Sequence, residues 1–140
     1  MQNIDVVQLH ALVKNSAKPY VLVNFYTTQS KACVKELPGL IQLHKNPGEL
    51  VEVLFVSVEN STNLPQNLKN FWGKYESVSS SFHLDSAVAE TFVGNLDSTW
   101  NYRIPVNLLF TNQGRLVDVI RMTDPMEVRM IISKDQSFHF

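Results

Sequence analysis

VLVNFYTTQSKACVKELPGL, Val21 to Leu40, is the stretch on which the fold turns. Tyr20 to Tyr26 is a nearly continuous run of apolar, β-forming side chains, as expected of a central strand covered on both faces. A polar turn follows. Helical spacing then runs from about Ser30 into the forties, with Cys33 near the first turn. Serine is a good residue for capping a helix start, and Ser30 stands where a cap is needed. Pro38 lies inside the helical pattern and is expected to bend or locally break it. Asn46-Pro47-Gly48 ends it.

Outward from this unit the chain alternates. Asp5 to Lys14 reads as a helix capped by Asp5, with Val6, Leu9, Leu12 and Val13 at helical spacing. Val51 to Val58, VEVLFVSV, is a second strand of the buried type. A loop with Pro65 leads to a helix around Gln66 to Tyr75, and Ser77 to Ser81 reads as a linker. Phe82 to Leu84 suits a short strand. Asp85 caps a helix from Ser86 to Phe92, which Gly94 is expected to stop. Val106 to Phe110 and Leu116 to Met122 form a hairpin across Asn112-Gln113-Gly114. Asp124-Pro125 opens a last helix that turns Val128, Ile131 and Ile132 inward; the pattern gives no clear end beyond Lys134. Strand–helix–strand units imply a parallel sheet with helices on both faces, finished by one antiparallel hairpin. The fold class expected is therefore α/β, a central mixed sheet in a single domain spanning 1–140.

Composition narrows the function. The chain has 140 residues, 44% of them hydrophobic and 18% charged, enough for a packed core without staples. Its net charge is -1 and no run of Lys and Arg occurs, so no nucleic-acid partner is expected. The longest apolar stretch is interrupted by Glu52 and Ser57, so no membrane span is expected. The first residues lack a basic segment followed by an apolar one. A cytoplasmic protein and one whose signal has been trimmed both fit. One cysteine excludes an internal disulfide and any multi-cysteine metal site. His10, His44, His83 and His139 are scattered, and no phosphate or dinucleotide fingerprint occurs, so neither metal nor cofactor is expected. Asn60-Ser61-Thr62 fits a glycosylation triplet of a kind common by chance. Phe71, Trp72, Tyr75 and Trp100 read as core or groove wall.

Four stretches, in order, resemble the TlpA/ResA-like branch of the thioredoxin-like superfamily, extracytoplasmic thiol–disulfide oxidoreductases. They are VLVNFYTTQSKACVKELPGL, VLFVSVE, FHLDSAVAETF and YRIPVNLLFTNQGRLVDVI. The resemblance covers about residues 20 to 133. It implies a thioredoxin-like fold, a role in cell redox homeostasis, an extracytoplasmic or periplasmic location and a monomer. In that family the first of two cysteines sits at a helix N-terminus, where unpaired N–H groups and the helix dipole favour the thiolate. It attacks a substrate disulfide, and the second cysteine resolves the mixed disulfide. Here the match puts Ser30 at the first position and Cys33 at the second. A hydroxyl is a far weaker acid than a thiol and forms no disulfide, so two-electron dithiol cycling within one chain is excluded by the count of cysteines.

The candidate catalytic residues are thus Cys33, Ser30 and Glu36. Gln29, Ile104 and Pro105 are the candidates for substrate binding. Gln29 stands where the family often has Trp, and Lys31-Ala32 fills the intervening pair. Lys31 reads as solvated surface or as a charge favouring a nearby thiolate. Cys33 reads as a buried structural sulfur or as a reactive monothiol. Glu36 lies one turn on. The family's matching glutamate sits beside the cysteines, and carried over it would raise the Cys33 pKa or act as a local base; a solvent-facing helix glutamate is the other reading. Asn24 matches a branch without the buried aspartate of true thioredoxins. Pro105 matches the family's cis-proline, followed here by Val106 where Thr is frequent. Partners would be protein or peptide thiols and disulfides in the groove near Pro105, held by strand-like hydrogen bonds. Three functions remain open: an atypical family member working through Cys33 or through binding, an ordinary dithiol enzyme with serine engineered at position 30, and a non-enzymatic peptide-binding module.

Overall fold

The structure is a computed structural model that describes residues 2–60, 64–73 and 81–139. Its elements are β1 (Gln2–Asn3), α1 (Val6–Lys14), β2 (Tyr20–Tyr26), α2 (Lys31–Lys45), β3 (Val51–Ser57), α3 (Leu64–Trp72), β4 (Ser81–His83), α4 (Ser86–Leu96), β5 (Val106–Thr111), β6 (Leu116–Ile120) and α5 (Pro125–His139). The strands form one sheet in the order β1-β4-β3-β2-β5-β6. β1, β4, β3 and β2 run parallel; β5 is antiparallel to β2, and β6 to β5.

β2 lies between β3 and β5, and all seven of its residues are buried. Its alternating side chains feed two cores. Leu22 and Tyr26 join Val53, Phe55, Leu37 and Val128 on the face covered by α2 and α5. Val21, Val23 and Phe25 join Leu54, Leu9 and Val93 on the face covered by α1 and α4. That two-sided burial is why the strand reads as a continuous apolar run rather than an alternating one.

Local chemistry sets the ends. Asp5 and Gln8 form a capping box at α1: Gln8 N–H donates to Asp5 Oδ1 at 2.7 Å and Asp5 N–H to Gln8 Oε1 at 2.9 Å. Asp85 accepts from the N–H groups of Ala87 and Val88 at the start of α4. At Gly39 a Cβ would sit 3.0 Å from Pro125 Cδ, so the missing side chain lets α5 start directly against α2.

Several expectations shift. Pro38 lies inside an unbroken α2; the buried Leu37, Leu40, Ile41 and Leu43 hold the turns on both sides of it. α4 continues through Gly94 to a cap at Asp97. A mid-helix glycine costs about 1 kcal/mol relative to alanine, and it stops a helix only where the backbone turns left-handed. β4 starts one residue earlier than expected, at Ser81, and β6 stops two earlier, at Ile120. α3 starts at Leu64, before Pro65, and α5 extends to His139. β1, too short to leave a pattern, pairs with β4. Tyr75, the linker residues before Ser81, and Ser61 and Thr62 of the glycosylation triplet lie outside the described residues. No helix among the described residues is long and apolar enough to cross a membrane.

Candidate functional site

The register of the sheet assembles the site at the carboxyl ends of β2 and β3. Phe25 pairs with Val106, so Ile104 and Pro105 lie alongside the end of β2, from which the turn into α2 departs. This is the end of an open α/β sheet where ligands bind. The Ile104–Pro105 peptide is cis. Pro105 is buried, and half-buried Ile104 packs against both cores. Gln29 and Lys31 are exposed on the turn, and no ion pair of Lys31 is present among the described residues.

Ser30 is the N-cap of α2, with extended backbone, and its Oγ accepts the Cys33 N–H at 3.2 Å. The hydroxyl thus satisfies a main-chain donor that the helix leaves open. Cys33 is 3% exposed, part of the core with Tyr26 and Leu37. Burial pushes its thiol pKa up. The Ser30 hydroxyl and the Thr27 main chain oppose the rise without overcoming it, and the negative charge of Glu36 adds to it. A helix N-terminus lowers a thiol pKa when the thiolate is partly solvated; here the loss of water outweighs the helix.

Glu36 is 4% exposed, which overturns the solvent-facing reading. Asn24 Nδ2 donates to its Oε1 at 2.7 Å. Asn107 Nδ2 donates to Oε2 at 2.9 Å and the Thr123 N–H to the same oxygen at 2.7 Å. Asn24 also donates to Asn107 Oδ1 at 2.8 Å, and Asn107 Nδ2 to the Arg121 carbonyl at 2.8 Å. One carboxylate therefore ties α2 to β2, β5 and the segment after β6. Burial pushes its pKa up, and the three donors hold it back in part.

Asn107 escaped the sequence reading. Its signal was present: Asn24 and Asn107 are polar interruptions of apolar strands, and they stand directly opposite each other. Glu59, 4% exposed, was missed as well. Its Oε1 accepts the Thr28 N–H at 2.9 Å and the Thr28 hydroxyl, fixing the turn before Ser30. Its Oε2 has no hydrogen-bond partner among the described residues. Tyr26 closes this side. Its hydroxyl accepts the Trp72 Nε1–H at 2.8 Å, its ring meets Phe71 and Trp72 at 5.8 Å each, and burial pushes its pKa up to about 12. No group of three or more His, Cys, Asp or Glu among the described residues is placed to hold a metal ion.

Chemically, the arrangement offers one shielded thiol, a buried carboxylate held by amides, and no second cysteine. No protein-family model matches the chain, and no curated protein sequence does. Solved structures do. A thiol:disulfide interchange protein of the thioredoxin family from Chlorobium tepidum is 21% identical, with TM-score 0.68 over 89% of this chain and 82% of its own. A thioredoxin-related protein from Neisseria meningitidis is 17% identical, with TM-score 0.67 over 89% and 90%. A secreted thiol-disulfide isomerase from Corynebacterium glutamicum is 17% identical, with TM-score 0.63 over 80% and 67%. At these identities the likeness is one of architecture, and with the sheet order and site position described above it establishes that this chain has the thioredoxin fold.

Proposed function

We propose that this chain is a TlpA/ResA-like thioredoxin-fold protein that has lost dithiol exchange and keeps the groove beside Ile104 and Pro105 for extended protein segments. The observation that carries the reading is the Ser30–Cys33 pair. Ser30 occupies the position of the attacking thiol and serves as a helix cap, while Cys33 is buried with a raised pKa. In this reading Ser30 and Glu36 hold the site's shape, Cys33 is a core sulfur, and Gln29, Ile104 and Pro105 meet the bound chain. Residues 1–140 act as one monomeric domain. An extracytoplasmic location belongs to the same reading; the family resemblance and the secreted isomerase of similar fold support it.

Insulin disulfide reduction tests the loss of exchange. The purified chain is expected to give no rate above the uncatalysed background, and Ser30→Cys to give a measurable one. A clear rate from the unaltered chain would overturn the reading. A folded Ser30→Cys protein without any gain would mean that the surroundings of the pair no longer support exchange either.

A further inference from the structure

We propose that the pocket beside Tyr102 receives one aliphatic side chain of a bound peptide, and that Glu90 at its rim favours a basic residue two positions along from that side chain. The proposal rests on the groove reading above and names the class of chain the groove takes. The pocket has a volume of about 100 Å³ and lies on the α4 side of the sheet. Its floor is apolar: Phe25 near the end of β2, Val58 just after β3, Ile104 just before β5 and Val106 at its start, and Ala89 and Val93 from α4. A dry cavity of roughly 150 Å³ admits a benzene ring. A smaller one suits a branched aliphatic group and not an aromatic one.

The wall shows a second feature. Tyr102 is 65% exposed and has φ 64°, a left-handed backbone that residues with a side chain rarely adopt. Its ring lies 5.1 Å from that of Trp100, whose Nε1–H donates to the Arg103 carbonyl at 3.0 Å. The loop thus holds a large aromatic ring out in solvent at the pocket's edge, against its own backbone preference. Such strain clusters at ligand clamps, and an exposed aromatic supplies rigid contact area.

Charge completes the argument. Glu90 is exposed at the rim and makes no ion pair among the described residues. In an extended chain the side chains two residues apart lie on one face, so a chain with an aliphatic side chain in the pocket turns the side chain two residues along toward Glu90, where a Lys or Arg is complementary.

The test uses the ¹⁵N-labelled full chain and the blocked peptide Ac-Gly-Ser-Leu-Ser-Lys-Gly-NH₂, followed by amide chemical shifts. Shifts are expected at Ala89, Val93, Tyr102 and Val106. Replacing the peptide's leucine by alanine or phenylalanine should weaken binding roughly 10-fold or more. Replacing its lysine by glutamate should weaken it about 2- to 5-fold, and Glu90→Lys should reverse that preference. Ala89→Leu, which fills the pocket, should erase the preference for leucine. Binding that shifts Thr28, Ser30 and Ile104 yet ignores the leucine and the Glu90→Lys change would overturn the pocket's role and leave the groove reading standing. No shifts with any of these peptides at millimolar concentration would overturn both.

Discussion

Glu36 is the residue whose burial says most about how this site is built. A glutamate one turn into a helix, between Lys35 and Pro38, carries every mark of surface. Its partners decide otherwise. Asn24 and Asn107 sit opposite each other on neighbouring strands, where an unpaired amide would be costly, and the carboxylate satisfies both. Glu36→Gln places an NH₂ against at least one of the three donors, since both carboxylate oxygens are acceptors here. The expected cost is about 2 kcal/mol at pH 7, measured by urea unfolding; a change below about 0.5 kcal/mol would contradict the network. The pH dependence has a definite sign. Burial raises the folded pKa of Glu36 above its ordinary 4.5. The stability this group contributes is then full below pH 4.5 and lost as pH rises through the folded value. Glu36→Gln should flatten that decline, and an unchanged slope would mean that another carboxyl produces it.

At the scale of the element, α2 is fastened at both ends by side chains that complete the backbone. Ser30 takes the Cys33 N–H at its start. Near its end, His44 Nδ1 accepts the Val53 N–H at 3.1 Å. That donor needs a partner because β4 begins pairing only at Phe55. Burial holds the His44 pKa below 6.5, so its contribution is present above pH 6.5 and lost as pH falls through the folded value. His83 shifts the same way, again mainly through burial. Stability should therefore fall as pH drops below about 6.5, and His44→Ala should remove part of that fall. Denaturant midpoints at pH 5, 6 and 7.5 check this, and an unchanged pH profile in the variant would contradict it. The start of α2 was legible because a cap leaves a residue type at a fixed place. The continuity of α2 through Pro38 was not, because packing of Leu37, Leu40 and Ile41 overrides a local preference that the sequence displays alone. The same holds for α4 beyond Gly94.

For the whole molecule, the alternation of strands and helices was readable because β2 and β3 are buried on both faces and carry unbroken apolar runs. Two-residue β1 and the exact reach of β4 and β6 were not, since strands at or beside the sheet edges are short and partly exposed. The topology also ranks local stability. Amides of Val21 to Phe25 and of Leu54 to Val56 should exchange slowest with solvent, and those of β1 and β4 faster; equal protection across the sheet would contradict the layered core. The candidate site was legible in its chemistry and not in its environment. One cysteine excludes dithiol cycling from the sequence alone, whereas the shielding of its thiol needed Tyr26, Leu37 and the register of β2 against β5. The fold holds its one thiol buried, with the thiolate disfavoured. The alkylation rate of Cys33 from pH 4 to 10, native against denatured, tests this. Slow native labelling is expected, with a midpoint above the free-thiol value of about 8.5, and full labelling on unfolding. Fast native labelling with a midpoint well below that value would contradict it.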